Sequence, residues 1–446
     1  MTDHRPYVVV GAGLGGSMMA AILGRAGRTV EVIERRADAR RGVPEAGRSI
    51  NLAISARGLN ALDHLGVKDD VLRMGIPLYG RMIHPVNGPL AFQPYGSRRQ
   101  AINSVSRADL NRVLLDAAEA RGRVSIQFNR RCVGADLERG EVTTVDVRDG
   151  TDERTHSGVI VGADGAFSTV RAQLVRRDRH DFSQAYLSHG YKELLIPPGD
   201  DGTHVLERHA LHIWPRGGFM MMAMANLDGS FTVTLYLPWE GQHGFDRLHT
   251  PAAVRQLFTS QFPDAVPLLP TLENDFATHP TGSLVTVRNG SWHSGNDVVL
   301  LGDAAHAIVP FFGQGANSAF EDCLALESAL VRFPEDRAAA FASYEEGRRP
   351  NTDAIGELAL ANFYEMRDHV ASRWFRMEKR AERVLNRMFP SWFIPLYTMI
   401  SFTLIPYAEA RDRARRQARA MRLVVVGLGV LVFVLLGVWL RSRGSE

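Results

Sequence analysis

The stretch Asn296-Asp-Val-Val-Leu-Leu-Gly-Asp-Ala-Ala-His-Ala-Ile-Val-Pro-Phe-Phe-Gly-Gln-Gly-Ala-Asn-Ser-Ala-Phe-Glu-Asp-Cys323 decides how this chain is read. Val298 to Leu301 form a short apolar run, the pattern of a buried strand. Gly302-Asp303 breaks it, and a loop with Pro310 and Gly313-Gln314-Gly315 follows. From about Asn317 the apolar spacing turns helical, with Phe320, Leu324, Leu326 and Leu330 among Glu321, Asp322 and Glu327. A strand thus delivers one carboxylate, Asp303, to a loop whose glycines admit close backbone approach. The loop opens a helix whose unpaired N–H groups favour negative charge. Such a device can hold a cofactor by its sugar alcohols and stabilise an anion on its ring.

Two similar units lie upstream. Tyr7 to Val10 runs into Gly11-x-Gly13-x-x-Gly16, then into a helix with Met18, Ala21 and Ile22, and a second strand ends at Glu34. This is the dinucleotide fingerprint. Its glycines turn the chain, admit a pyrophosphate and let helix pack on strand, and the terminal acid takes ribose hydroxyls. The pattern alone does not separate FAD from NAD. Val159 to Gly162 ends in Asp164-Gly165 and leads through Ser168 to a helix.

Length and composition bound the rest. With 446 residues, the chain has room for two or three full cores. Net charge is only +3, which excludes a general nucleic-acid surface. Two cysteines, Cys132 and Cys323, make no disulfide framework, and the 15 histidines show no metal spacing, so no metal is expected. Leu423 to Leu440 is 18 residues without a charge. As a helix it would be about 27 Å long, near the roughly 30 Å of a hydrocarbon core. Arginines crowd its N-terminal side, which predicts a membrane anchor with the catalytic part facing the cytoplasm.

Between these landmarks, Gly47 to Leu52 is polar and glycine-led, and Ser55 to Leu65 predicts an amphipathic helix on which Arg57 faces either a cofactor phosphate or solvent. Arg81 and Tyr95 fall on the two arms of a predicted hairpin, where they could clamp a carboxylate. Ser106 caps a helix whose first turn holds Arg107, against the helix dipole, which hints at an anionic partner such as a phosphate or flavin edge. From about Asp181 to Thr281 the pattern is β-rich, with strands on either side of the turn Asn226 to Gly229. The methionines at 220–222 and 224 read either as core or as soft side chains over a cofactor. After Phe333 the chain is helical, with Asn362, Glu365, Met366 and His369 near one face.

Taken together, the three acid-bearing units resemble the class A flavoprotein monooxygenases, the family of para-hydroxybenzoate hydroxylase, over about residues 6 to 335. Within that family, Gly47 to Ala53, Arg81 to His84, His212 to Arg216, Asp303 to Gly315, Asn362 to Arg367 and Phe393 to Met399 are similar to the kynurenine 3-monooxygenases. The resemblance implies an α/β + β architecture: a Rossmann-like FAD-binding domain (1–76, 101–180, 283–334) with an inserted antiparallel-sheet substrate domain (77–100, 181–282). A helical C-terminal region (335–421) and a C-terminal transmembrane helix (422–440) complete it; the eukaryotic enzymes carry such a tail.

By resemblance, the reaction is hydroxylation of L-kynurenine to 3-hydroxy-L-kynurenine in tryptophan catabolism, with NADPH and O₂, through a flavin C4a-hydroperoxide. FAD would be held by Gly11, Gly13, Gly16, Glu34, Arg107, Asp164, Asp303, Gly315, Ala316 and Asn317. The substrate would lie among Arg81, Tyr95, Asn362, Tyr407, Phe231, Pro310, Phe311 and Met366. The chemistry is flavin-borne, so no protein base is assigned, and His306 is expected to pack beside its loop. NADPH would dock transiently, because no second glycine fingerprint exists. Ile405-Pro406 before Tyr407 departs from the family pattern. The rival reading is a related membrane-bound flavin hydroxylase, epoxidase or reductase of another aromatic or lipid substrate. A hydrocarbon would leave the Arg81–Tyr95 pair without a polar partner.

Overall fold

A computed structural model describes residues 5–41, 51–96, 100–120, 122–178, 180–369, 373–390 and 392–423. The glycine-led stretch 47–50 lies outside them. One sheet of six strands is built on the apolar runs read above. Val298–Leu300, Val159–Gly162, Tyr7–Val10, Val30–Ile33 and Val124–Gln127 lie parallel in that spatial order, with His293–Ser294 antiparallel at the edge. Strands buried on both faces need continuous apolar sequence, which these have. Their carboxyl ends carry Asp303, Asp164, the first fingerprint glycine and Glu34 along one edge. In open parallel sheets that edge is where ligands bind.

The second sheet has seven strands: Thr281–Asn289, Phe182–Ile196, Phe231–Pro238, Met220–Ala225, Ala210–Pro215, Gly80–Ile83 and Ala91–Pro94. The expected antiparallel sheet is in fact mixed, because Gly80–Ile83 runs parallel to Ala210–Pro215. Two helices within the β-rich region, Pro251–Gln261 and Leu272–Thr278, were not legible as such. They cover one face of this sheet with Val254, Phe258 and Leu272.

Register sorts the side chains of the second sheet between its faces. Tyr236 pairs with Met220 and Thr234 with Met222. Ile213 also pairs with Met222, and Ile213 opposes Ile83 two residues along from Arg81. Directly paired residues share a face and alternate residues repeat it. Arg81, Met220, Met222, Met224, Thr232, Thr234 and Tyr236 therefore lie on one face, and Phe231, His212 and Trp214 on the other.

The C-terminal region starts with helix Arg337–Tyr364, which ends in a π-helical turn, Glu365–His369, and later gives the short helix Leu396–Phe402. The expectation of a membrane-spanning C-terminal helix is corrected. Among the described residues no helix is long and apolar enough to cross a membrane. The last described helical segment is amphipathic: Tyr407, Ala410 and Gln417 are buried, and Arg411 and Arg415 pair with Glu357. Residues 424–446, which hold most of the apolar run, lie outside the described residues. The fold class is thus two large sheets and two three-stranded ones with a helical C-terminal region, and the membrane-anchored, cytoplasm-facing localisation falls with the helix it rested on.

Candidate functional site

The edge of the parallel sheet is shaped by backbone proximity. Gly11 has φ +103°, and a Cβ there would stand 2.5 Å from the Ala163 carbonyl oxygen. A Cβ on Gly16 would overlap the Gly11 carbonyl oxygen. Gly13 precedes the first turn of helix Leu14–Arg25, leaving open the space where an anion meets free N–H groups. Glu34, buried at the end of its strand, accepts from Ala12 N–H at 2.8 Å and from Arg36. Asp303 is exposed beyond the turn at Gly302, whose φ is +58°.

The Asp164 carboxylate is turned to its own helix, accepting from Ser168 Oγ, Thr169 N–H and Val170 N–H. Burial raises its pKa. Arg171, four residues into the Ser168-x-x-Arg171 pattern, donates to the carbonyls of Ala166 at 2.6 Å and Ala304 at 2.9 Å, so it ties the second acid loop to the third. Arg107 stands exposed at the first turn of its helix, and Ser106 Oγ caps that helix through Asp109 N–H. Gly315 and Ala316, half-buried, open helix Gly315–Arg332. Asn317 is fully engaged: its amide donates to Ala53 O and Gly313 O, and its oxygen accepts from Ser55 N–H. It holds the Gly-Gln-Gly loop against strand Asn51–Ile54.

These groups fit FAD. Gly11 and Gly16 have no room for a side chain while Gly13 leaves open space, an acid ends each of the relevant strands, and a long helix N-terminus faces the same edge. No metal-holding group of three or more His, Cys, Asp or Glu occurs among the described residues.

Across the interface between the sheets, Arg81 is buried beneath two tyrosines. Its guanidinium lies 5.7 Å from the Tyr95 ring and 5.1 Å from the Tyr397 ring, and those rings stack at 4.8 Å. Glu365, on the π-helical turn, approaches Arg81 to 3.9 Å. Burial opposes the charge on Arg81, but its pKa is raised all the same, with the Glu365 carboxylate as the anion beside it, and the guanidinium stays charged. Burial and Tyr397 push the Tyr95 hydroxyl well up, so it is neutral and a donor. Two buried polar atoms here, Arg81 Nε and the Tyr95 hydroxyl, have no hydrogen-bond partner, and Ser401 Oγ, one helical turn along from Tyr397, is a third. Buried polar groups are ordinarily satisfied, so this cluster calls for a polar ligand.

The expected substrate residues divide. Asn362 donates to Phe311 O at 2.6 Å and touches Met366 Sδ at 3.2 Å. Phe311 packs on Phe363 and Tyr236, and Pro310 is exposed beside it. Phe231 is corrected: it packs on His204 and His212, on the far face of its sheet. Tyr236 faces Phe311 instead. Tyr407 has no contact with Arg81; its hydroxyl donates to Gln314 Oε1 at 2.9 Å and its ring takes Arg57. Arg57 is buried, facing neither phosphate nor solvent. Tyr397 and Ser401 were missed; their i, i+4 spacing was the available signal.

The chain matches the FAD binding domain family over residues 5–359. It is 48% identical over 403 residues to a kynurenine 3-monooxygenase of Myxococcus xanthus, covering 90% of this chain and 87% of that protein. It is 45% identical to a kynurenine 3-monooxygenase of Salinispora tropica, covering 98% and 96%. Among solved structures it superposes on the tetrameric form of 2-methyl-3-hydroxypyridine-5-carboxylic acid oxygenase with TM-score 0.67 and 23% identity, over 86% of this chain and 97% of that one, a likeness of fold.

Proposed function

The chain belongs to the kynurenine 3-monooxygenase family of FAD-dependent hydroxylases, and we infer that Arg81, Tyr95, Tyr397 and Ser401 receive the carboxylate of its substrate. The enzyme hydroxylates L-kynurenine to 3-hydroxy-L-kynurenine with NADPH and O₂. The observation that carries our reading of the site is the cluster of unpartnered buried atoms at Arg81 Nε, Tyr95 and Ser401. A carboxylate satisfies all three, since each is a donor and the anion accepts. A hydrocarbon satisfies none, which disfavours a lipid substrate.

Glu365, beside Arg81, is suited to the substrate's α-ammonium group. The aromatic ring then extends along Phe311, Met366, Tyr236 and the methionine face of the second sheet. FAD would be held by Gly11 to Gly16, Glu34, Asp303 and the N-terminal turn at Gly315, Ala316 and Asn317. Once bound and reduced by NADPH, it supplies the activation of O₂. The N–H groups of that turn, at the start of helix Gly315–Arg332, would stabilise negative charge on a bound flavin. Phe311, Phe363 and Tyr236 exclude water from the reacting side. The substrate's own anilinic amine activates the ring carbon beside it, so no protein base is required. Arg107 and Asp164 would serve the cofactor edge less directly, one as an exposed cation and the other through the helix it caps.

The test is NADPH oxidation by the purified protein with and without L-kynurenine, with the product identified by mass. Strong stimulation and a product one oxygen heavier are expected. Absence of stimulation with FAD bound would refute the substrate reading.

A further inference from the structure

Arg57 lies outside the clamp, yet it holds the helix that carries half of it. Its Nε donates to Ile400 O at 2.9 Å, and Nη2 reaches Met399 O at 3.5 Å and Ile405 O. Met399 and Ile400 are in the last turn of helix Leu396–Phe402, where carbonyls lack helical partners. The guanidinium therefore caps this helix with positive charge at its negative end. Nη1 donates to Glu321 Oε1 at 2.7 Å, on helix Gly315–Arg332.

The network continues. Glu321 Oε2 accepts from Arg348 at 3.0 Å, and Arg348 Nε donates to Asp322 Oδ1 at 2.7 Å. Asp322 Oδ2 accepts from Gly302 N–H at 3.2 Å and lies 2.6 Å from His306 Nε2. Arg57, Asp322 and Arg348 are all buried. A helix of seven residues after Pro395 has little stability of its own. Its place is set by what grips its end.

We propose that Arg57 is a positioning residue for the substrate carboxylate: by fastening helix Leu396–Phe402 to helix Gly315–Arg332, it sets where Tyr397 and Ser401 stand relative to Arg81. This rests on the reading that the carboxylate binds at Arg81. A purely structural arginine would affect all ligands alike, whereas a positioning role at helix Leu396–Phe402 weakens selectively the ligand that carries the carboxylate.

The experiment measures, by calorimetry on the FAD-loaded enzyme, the Kd of L-kynurenine and of its decarboxylated analogue for wild type, Arg57→Lys and Arg81→Lys. A lysine cannot reach Glu321 and three carbonyls at once. Arg57→Lys is expected to weaken L-kynurenine about tenfold and the analogue less than about twofold. Equal losses for both ligands, or none, overturn the proposal while Arg81→Lys remains selective. If wild type binds both ligands equally and Arg81→Lys is flat, the carboxylate site itself is misplaced and the proposal falls with it. Should Arg57→Lys fail to load FAD, Glu321→Gln decides, with the same selective loss of about threefold expected and an equal or absent loss overturning the proposal.

Discussion

The hydroxyls of Tyr397 and Tyr407 face different partners, although both rings lie near an arginine. Tyr397 stacks on Tyr95 above Arg81, and Tyr407 donates to Gln314 beneath Arg57. A hydrogen bond to a charged ligand is worth about 1.5–3 kcal/mol and a neutral internal one about 1. Tyr397→Phe is therefore expected to raise KM for L-kynurenine about tenfold while kcat changes little. Tyr407→Phe is expected to leave KM unchanged and to cost about 1 kcal/mol in urea unfolding. Steady-state kinetics beside unfolding curves checks both, and the reverse assignment would put Tyr407 in the substrate site. The sequence favoured Tyr407 by family likeness, and nothing local separates two tyrosines ten positions apart on either side of Pro406. What separates them is the partner each meets, Arg81 and Tyr95 for one and Gln314 and Arg57 for the other, all distant in sequence.

At the scale of the element, alternation in strand Phe231–Pro238 was legible but its sense was not. Family likeness placed Phe231, on the apolar side of this strand, in the substrate site. The site face is instead the mixed one, with Thr232, Thr234 and Tyr236, because helix Pro251–Gln261 covers the greasier side. That far face also carries a titration. His212, 2.9 Å from His84 and bonded to Glu207 O, is driven down by burial to about 4. His84 in turn meets Asp264 at 2.8 Å. The unfolded chain takes up a proton on His212 near 6.5, and the folded chain does so only near the lower value. Stability is thus full above the unfolded pKa and falls as pH drops toward the folded one, by about 3 kcal/mol across the window from 6.5 to about 4. His212→Gln should flatten that part of the acid limb in thermal melts between pH 7 and 4.5. An unchanged slope would show that His212 is not what titrates. The parallel strands were easier to read, since burial on both faces leaves one apolar pattern with no sense to choose.

For the whole molecule, the three acid-bearing loops could be found along the chain because each is local, a strand, a turn and a helix. Their convergence on one edge follows from parallel pairing. The network of Arg57, Glu321, Arg348 and Asp322 had no such signature. Arginines on helices usually face solvent, and only packing of segments more than 200 residues apart buries Arg57 against Glu321. Removing one member tests whether the network carries stability and cofactor together. Arg348→Met leaves Asp322 buried with only His306 and Gly302 N–H for company. Breaking a buried pair typically costs about 3–5 kcal/mol. Because Asp322 also fixes the turn before Asp303, the variant should purify with less FAD, and added FAD should recover part of its melting temperature, since a ligand at 100 times its Kd contributes about 2.7 kcal/mol. Arg349→Met on the same helix is the control: its side chain is 45% exposed and its pair with Glu345 is worth about 1 kcal/mol or less. Equal melting temperatures and full FAD content in both variants would mean that the buried network is dispensable to the cofactor edge, and that the edge is held by its backbone contacts alone.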